Sequence, residues 1–246
     1  MAGQARVKCR KHGDAHTTYV CAHLAENPVQ RWYSDVPTER KRWPDAWCSR
    51  CQVEFLKEGE WNEKNEQGLV AKILCHECYE AAQARSLERP LDGPAARVAR
   101  ALTERSHEAL RAKQRQLEAK FGLGRHKRWD WDQATGQLVF SNDGVPAIAC
   151  DIAFVGSVST LSDTWLWSWA NFSLTESVRS PMLRVREFGE AQDLPRLTVP
   201  KWPAGEADGW EMTAIAVEIL GASGAYRTPS KNSFTFLALL SVSRVQ

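Results

Sequence analysis

The stretch "WCSRCQVEFLKEGEWNEKNEQGLVAKILCHECYEAA", residues 47–82, contains two C-x-x-C pairs with 23 residues between them. Zinc in proteins takes four ligands in a tetrahedron, and a C-x-x-C turn places two thiolates side by side. Cys48, Cys51, Cys75 and Cys78 therefore predict a zinc site closed by four thiolates. The first pair is expected on a turn and the second at the start of a helix. A knuckle, a hairpin and such a helix would form a treble-clef-like arrangement, in which the helix N-terminus stabilises the thiolates.

A second set of cysteines and histidines lies upstream, and it predicts a second zinc ion. Its pairs are Cys9-x-x-His12 and Cys21-x-His23, and His16 could replace either histidine. Thiolate and neutral imidazole are both good zinc ligands. The spacing leaves the grouping of the pairs open. The two sets are either sequential, or interleaved as a cross-brace in which Cys9 and His12 share an ion with Cys48 and Cys51.

The cysteine usage favours a reducing compartment. Six of the seven cysteines lie in close pairs with each other or with histidine, as metal ligands do, and disulfides are rare in the cytosol. The N-terminus is charged and does not resemble a signal peptide, and the longest apolar run, at 234–242, is short for a membrane span. We expect a cytoplasmic protein with no membrane partner. Both zinc ions are expected to be structural, because four protein ligands leave no open position for catalysis.

The chain is expected to have an α+β fold in three parts. Residues 1–90 form a Cys/His zinc-binding module, residues 91–125 a basic connecting helix, and residues 126–246 a Trp-rich domain. The proline- and glycine-containing stretch "RPLDGP" at 89–94 marks the first boundary. In the third part, hairpin signals precede two helical segments, at 175–189 and 204–224, and two final strands follow. This order predicts an antiparallel sheet with helices packed on one face.

The central segment carries most of the positive charge. Residues 91–128 contain 10 Lys and Arg against 4 Asp and Glu. The cations could follow nucleic-acid phosphates, or the helix could be solvated and face an acidic partner. They are Arg97, Arg100, Arg105, Arg111, Lys113, Arg115, Lys120, Arg125, Lys127 and Arg128.

Three tryptophans alternate with other residues in "TWLWSWAN", residues 164–171. Side chains at this period share one face of a strand. We expect Trp165, Trp167 and Trp169 to form core beneath the helices, and the alternative is a stacking platform for a flat ligand.

The same stretch, with "VREFGE", "DGWEMTAIA" and "GAYR" downstream, resembles a bacterial family of unknown function with a W-x-W-x-W-A-N signature, over about residues 128–246. The N-terminal "YVCAHL" region is similar to a module at the front of several uncharacterised bacterial proteins. Such proteins look like those encoded in toxin–immunity loci. The resemblance therefore implies a binding role and carries no activity.

These observations predict a non-catalytic, zinc-stabilised factor that binds another protein, such as an immunity or antitoxin-like protein that blocks a toxin. Candidate anchors for the partner are the tryptophans of the zinc module: Trp32, Trp43, Trp47 and Trp61. The first alternative is a nucleic-acid-binding regulator that uses the basic helix. An enzyme is the second alternative, with Glu211 as a general acid near Asp163, Asn171 and Arg227. Cys150 lies in an apolar strand and is expected to be a structural thiol.

Overall fold

A computed structural model describes residues 5–87, 94–126, 128–132, 135–228 and 232–245. Within them the fold is mixed α+β, with antiparallel sheets and helices. The chain divides into two compact units, Met1–Arg97 and Val98–Gln246. Most of the boundary predicted at 89–94, and the cation Lys127, lie outside the described residues. No helix in the described ranges is long and apolar enough to cross a membrane.

The first unit is built around a five-stranded sheet. Its strands are β1 (Arg6–Cys9), β2 (Gly13–Cys21), β3 (Tyr33–Ser34), β4 (Ala46–Trp47) and β5 (Ala71–Cys75), and its helices are α1 (Ala22–Glu26), α2 (Ser49–Glu58) and α3 (His76–Gln83). β2 lies at the centre of the sheet. β1 and β5 pair with β2 antiparallel, β4 meets it at the parallel pair Val20–Ala46, and β3 pairs with β4.

The tryptophans of the first unit belong to its core. Trp32 and Trp47 are buried, and Trp43 and Trp61 are partly buried against the same cluster. Trp32 packs edge-to-face on Tyr79 at 5.0 Å. Trp32 and Trp47, two of the four candidate anchors for a partner, are therefore part of the interior, which their large rings help to fill. For Trp43 and Trp61 the anchor role stays a prediction.

The second unit contains a seven-stranded antiparallel sheet. The strands are β6 (Arg128–Asp132), β7 (Gln137–Asn142), β8 (Val145–Ser159), β9 (Thr164–Trp167), β10 (Lys201–Pro203), β11 (Gly224–Thr228) and β12 (Ser233–Arg244). The order along the main path of the sheet is β10, β9, β8, β12, β11, and β7 pairs with both β8 and β6. The two predicted hairpins, β6–β7 and β8–β9, and the two final strands are confirmed.

Five helices accompany this sheet. They are α4 (Pro94–Phe121), α5 (Glu176–Arg179), α6 (Leu183–Ala191), α7 (Pro195–Thr198) and α8 (Glu206–Leu220), with 3-10 turns at Leu123–Arg125, Ser168–Ala170 and Ser180–Met182. α8 ends at Gly221, whose φ of 66° is the left-handed conformation that favours glycine at this position.

The central strands of the sheet are covered on both faces. Phe236 of β12 meets Trp210 of α8 at 5.5 Å, whereas its neighbour Leu237, which points to the opposite face, packs with Val178 of α5. Residues 152–156 of β8 and 236–239 of β12 are all buried. The prediction of helices on one face is thus incomplete, because it did not assign α5 and the buried stripe of α4 to the second face.

Trp165, Trp167 and Trp169 are all buried, as the core interpretation predicted. The strand ends at Trp167, and a 3-10 turn carries Trp169. Gly156 makes room for this packing, since a Cβ there would lie 2.4 Å from the Trp165 ring. These rings are therefore core and offer no stacking platform.

Candidate metal centres

The eight predicted ligands form two groups of four, both in the first unit. One group, which we call the outer centre, is Cys9, His12, Cys75 and Cys78; the other, the inner centre, is Cys21, His23, Cys48 and Cys51. Within each group the ligand atoms all lie within 4.8 Å of one another. Each group can hold a metal ion with three thiolates and one imidazole.

This grouping differs from both predicted groupings. The first and fourth pairs in sequence share one centre and the second and third pairs share the other, so the arrangement is nested. The four cysteines of residues 47–82 do not form one site. His16 belongs to neither centre; its ring instead stacks on Trp43 at 5.4 Å.

The nesting follows from the strand β2. The Cys9–His12 pair lies just before β2 and Cys21 at its end, nine residues after His12, which is about 30 Å in an extended strand. The antiparallel register pairs Cys75 with Thr17 and Ala71 with Cys21, so β5 runs toward the hairpin. The Val20–Ala46 pair brings the segment before Cys48 to the other end. Each end of β2 therefore collects its own four ligands.

The outer centre joins a hairpin to a helix. Gly13, with a φ of 74°, closes the tight turn between β1 and β2 that presents Cys9 and His12. The Cys9 and Cys78 sulfurs are 3.9 Å apart, and His12 Nδ1 lies 3.2 Å from Cys75 Sγ and 3.5 Å from Cys78 Sγ. On the other side of the imidazole, Nε2 lies 3.9 Å from the Glu77 carboxylate, a position from which a carboxylate can orient a ligating histidine.

The inner centre lies within the hydrophobic core of the first unit. Cys21, Cys48 and Cys51 are buried in the same cluster as Leu24 and Trp47. His23, on the short helix α1, places Nδ1 3.4 Å from Cys51 Sγ. A metal ion here would be enclosed by apolar side chains.

Both C-x-x-C pairs begin a helix. Cys48 precedes the first residue of α2, and Cys75 precedes that of α3, where its sulfur accepts a hydrogen bond from the Cys78 amide at 3.4 Å. The expectation that the first pair lies on a simple turn is therefore wrong. The positive end of each helix dipole favours the ionised thiolate.

Hydrogen bonds between the thiols shift their titration in the inner centre. Those donated by Cys21 and Cys51 to the Cys48 thiolate lower the pKa of Cys48 to about 2. The same contact with Cys48 raises the pKa of Cys21 to about 11, and the pKa of Cys51 is raised by its contacts with Cys21 and Cys48. The three sulfurs are thus close enough to hydrogen-bond with one another, as the ligands of one ion would be.

In the outer centre the shifts have different causes. Backbone N–H groups of Lys11 and His12 lower the pKa of Cys9 to about 6. Burial is the first cause that raises the pKa of Cys78 to about 12. The hairpin turn thus prepares one thiolate for a cation.

The residues considered for catalysis serve local structural roles. Glu211 of α8 is buried in an ion pair with Arg196 of α7, and Thr103 of α4 donates to its carboxylate at 3.2 Å. The Asn171 side chain accepts from the Ser173 amide at 3.2 Å. Burial raises the pKa of Cys150 to about 12, which fits the structural thiol that the sequence predicts.

Asp163 and Arg227 make contacts other than that ion pair. Asp163 is in the turn between β8 and β9, where its carbonyl accepts from the Ala204 amide at 2.9 Å. Arg227 on β11 pairs with Glu206 at 3.1 Å. Both therefore support the ends of the sheet.

The basic helix α4 packs into the second unit. Leu102, Leu110 and Leu117 are buried along one face. Arg105 pairs with Glu218 at 2.5 Å, and Lys113 donates to the Ala222 carbonyl at 2.6 Å. Two of the cations are therefore engaged within the unit, whereas Arg111 and Arg115 are exposed.

Sequence reasoning missed the apolar side chains exposed on the elements that carry the metal ligands. On α2, Val53 and Leu56 are 55% and 67% exposed, and residues three apart share a helix face. On the sheet, Tyr19 and Ile73 are cross-strand partners, 42% and 56% exposed. Each of these apolar residues lies two or five positions from a predicted metal ligand in the sequence. This spacing was the signal that could have identified them.

Comparison with known proteins finds one family match, and it lies in the second unit. No curated protein and no solved structure matches the chain. A family model described as a family of unknown function (DUF6882) matches residues 100–242, from the first turns of α4 to β12. The match extends the expected resemblance upstream to include the basic helix, and since it covers more than half of the sequence, the chain belongs to this family.

Proposed function

We propose that this chain is a non-catalytic protein-binding factor in which two structural zinc ions hold the binding surface of the first unit in place. The observation that carries the proposal is that the ligand-bearing elements themselves present exposed apolar side chains. α2 begins at the inner centre and exposes Val53 and Leu56, and β5 ends at the outer centre and exposes Ile73 beside Tyr19.

Zinc is the metal that fits the donor set best. Bond lengths of about 2.3 Å to sulfur and 2.0 Å to nitrogen give tetrahedral edges of about 3.8 Å between sulfurs and about 3.6 Å between sulfur and nitrogen. The outer centre has 3.9 Å for Cys9–Cys78 and 3.5 Å for His12–Cys78. Three thiolates and an imidazole form a closed structural shell. The outer centre, with its knuckle, hairpin and helix, is the one we propose to be treble-clef-like.

Protein binding also follows from the energetics of such a surface. Interfaces gain most of their free energy from a few residues near the centre of the contact, and these must be held in a fixed geometry. A small unit holds its exposed side chains in such a geometry only if its backbone is fixed. The two proposed zinc ions supply that rigidity at both ends of β2.

The test is affinity purification of the full chain from its native host, with nuclease treatment and metal analysis of the same sample. We expect two zinc ions per chain and a stoichiometric protein partner. The double variant Val53→Ser/Leu56→Ser should raise the dissociation constant for the protein partner by on the order of tenfold or more. Val145→Ser is the matched control, because Val145 is 67% exposed on β8 in the second unit. Equal binding by both variants would refute the proposed surface.

The identity of the partner tests the narrower proposal of an immunity or antitoxin-like role. In that case the partner is a toxin, and co-expression of this chain restores growth of cells that produce it. Recovery of nucleic acid alone, lost on nuclease treatment and on substitution of Arg111 and Arg115 by Glu, would instead support the nucleic-acid-binding alternative.

A further inference from the structure

We infer that the outer centre is an oxidation site, at which a peroxide joins Cys9 and Cys78 in a disulfide and releases the metal, while the inner centre keeps its own. The inference rests on the metal loading in the proposed function. It adds that the two centres, although they have the same ligand types, differ in their chemistry toward solvent.

The first observation is the difference in access to the sulfurs. Cys9 and Cys78 are half-buried, whereas Cys21, Cys48 and Cys51 are only 1–5% exposed within the hydrophobic core. Oxidation of a cysteine requires the oxidant to reach its sulfur, so susceptibility follows exposure. A small polar oxidant therefore reaches two ligands of the outer centre and is excluded from the thiols of the inner centre.

The second observation is the position of the two exposed sulfurs. Cys9 Sγ and Cys78 Sγ are 3.9 Å apart, so a sulfenic acid formed on one lies next to a thiolate of the other. Cys75, the third thiol of this centre, is 3% exposed and accepts the Cys78 amide. The geometry therefore selects Cys9 and Cys78 over the C-x-x-C pair.

The reaction balances with hydrogen peroxide as the oxidant. One thiolate attacks a peroxide oxygen, the O–O bond breaks, and with one proton from solvent a sulfenic acid and one water form. The second thiolate attacks the sulfenic sulfur, the S–O bond breaks, and the leaving hydroxide takes a second proton to give another water. The two sulfurs lose two electrons to the peroxide oxygens. His12 and Cys75 would then be the only protein ligands left to a metal ion at this centre, too few to hold it.

The experiment treats the full, zinc-loaded chain with hydrogen peroxide and follows two signals. A chromogenic chelator measures zinc release, and mass spectrometry after differential alkylation identifies the oxidised cysteines. We expect one zinc equivalent to be released in a fast phase, together with a peptide that links Cys9 to Cys78. A thiol reductant with added zinc should restore two equivalents.

Two variants make the result specific. Cys9→Ser leaves the outer centre with three ligands, so this variant should carry only the inner zinc, show no fast phase and release that zinc as slowly as the unmodified chain does. Cys150→Ser, which alters a buried thiol of the second unit, should behave as the unmodified chain does. Simultaneous release of both zinc ions, or a Cys75–Cys78 disulfide, would overturn the inference while leaving the zinc assignment intact. A chain purified without metal would contradict both the zinc assignment and the inference.

Discussion

The nested grouping of the ligands makes a prediction that three double variants decide. Each variant removes Cys9 and one further cysteine: Cys78, Cys21 or Cys48. In the nested arrangement, Cys9→Ser/Cys78→Ser damages only the outer centre and leaves all four ligands of the inner centre. The other two variants remove one ligand from each centre.

The zinc content expected of each variant follows from the number of centres that keep all four ligands. An intact structural zinc site binds with about 10–16 kcal/mol at neutral pH. A competing chelator that removes zinc from three-ligand sites but not from four-ligand sites should leave one equivalent in Cys9→Ser/Cys78→Ser and none in the other two. Metal content is measured by atomic emission after desalting, and cobalt-substituted samples report the ligands through their absorption bands.

Each competing arrangement has its own signature in this assay. If only Cys9→Ser/Cys21→Ser kept one zinc ion, the sequential grouping would be right. If only Cys9→Ser/Cys48→Ser did, the interleaved grouping would be right. Either result would refute the argument from the register of β2.

Three further predictions concern stability and pH. Gly209→Ala should destabilise the second unit by about 1–3 kcal/mol in chemical denaturation, although helix propensity alone predicts a gain of about 1 kcal/mol, because the new Cβ would lie 2.4 Å from the Phe236 ring; a stabilised variant would contradict this. Glu211→Ala should cost about 3–5 kcal/mol by leaving the buried Arg196 without its carboxylate, and Arg196→Met/Glu211→Leu should recover most of it; equal losses in both variants would argue against the ion pair as the cause. Zinc affinity of the inner centre should rise with pH, by about 100-fold per unit near neutrality, because the two thiols with a raised pKa must release protons on binding; calorimetry in buffers of different ionisation enthalpy counts them, and no proton release would refute the assignment.

The sequence predicted the ligands but not their grouping, for a physical reason. The residue types and short spacings that make a knuckle are local, so Cys48 and Cys51 can be recognised without knowledge of the fold. Which knuckles meet is decided by strand register, here the Thr17–Cys75 and Val20–Ala46 pairs. Residues of β2 and β5 that are paired in space lie 50 to 58 positions apart in sequence, and no local pattern encodes that distance.

The second unit was easier to predict because its signals are local. Hairpins with turn residues between alternating strands, and a helix that ends at Gly221, are properties of neighbouring residues. The second covered face was missed because it depends on Val178 and Leu117, which reach the sheet from short or mostly polar segments. Trp32 and Trp47 were misassigned for a related reason, since an aromatic residue in a loop-rich segment has the same local pattern in a core as on a surface.

The two units are stabilised by different means. The family match lies in the second unit, and the surface that we propose for binding lies in the first. The second unit, which contains the family match, buries Trp165, Trp167 and Phe236 in a large apolar core. The first unit lies outside that match, and three thiols of the inner centre take part in its core. Loss of zinc should therefore unfold the first unit selectively, because the metal-ligand bonds that tie its elements together at both ends of β2 would be lost. If the proposed function holds, chelation or oxidation should therefore remove the binding surface of the first unit while the family domain stays folded.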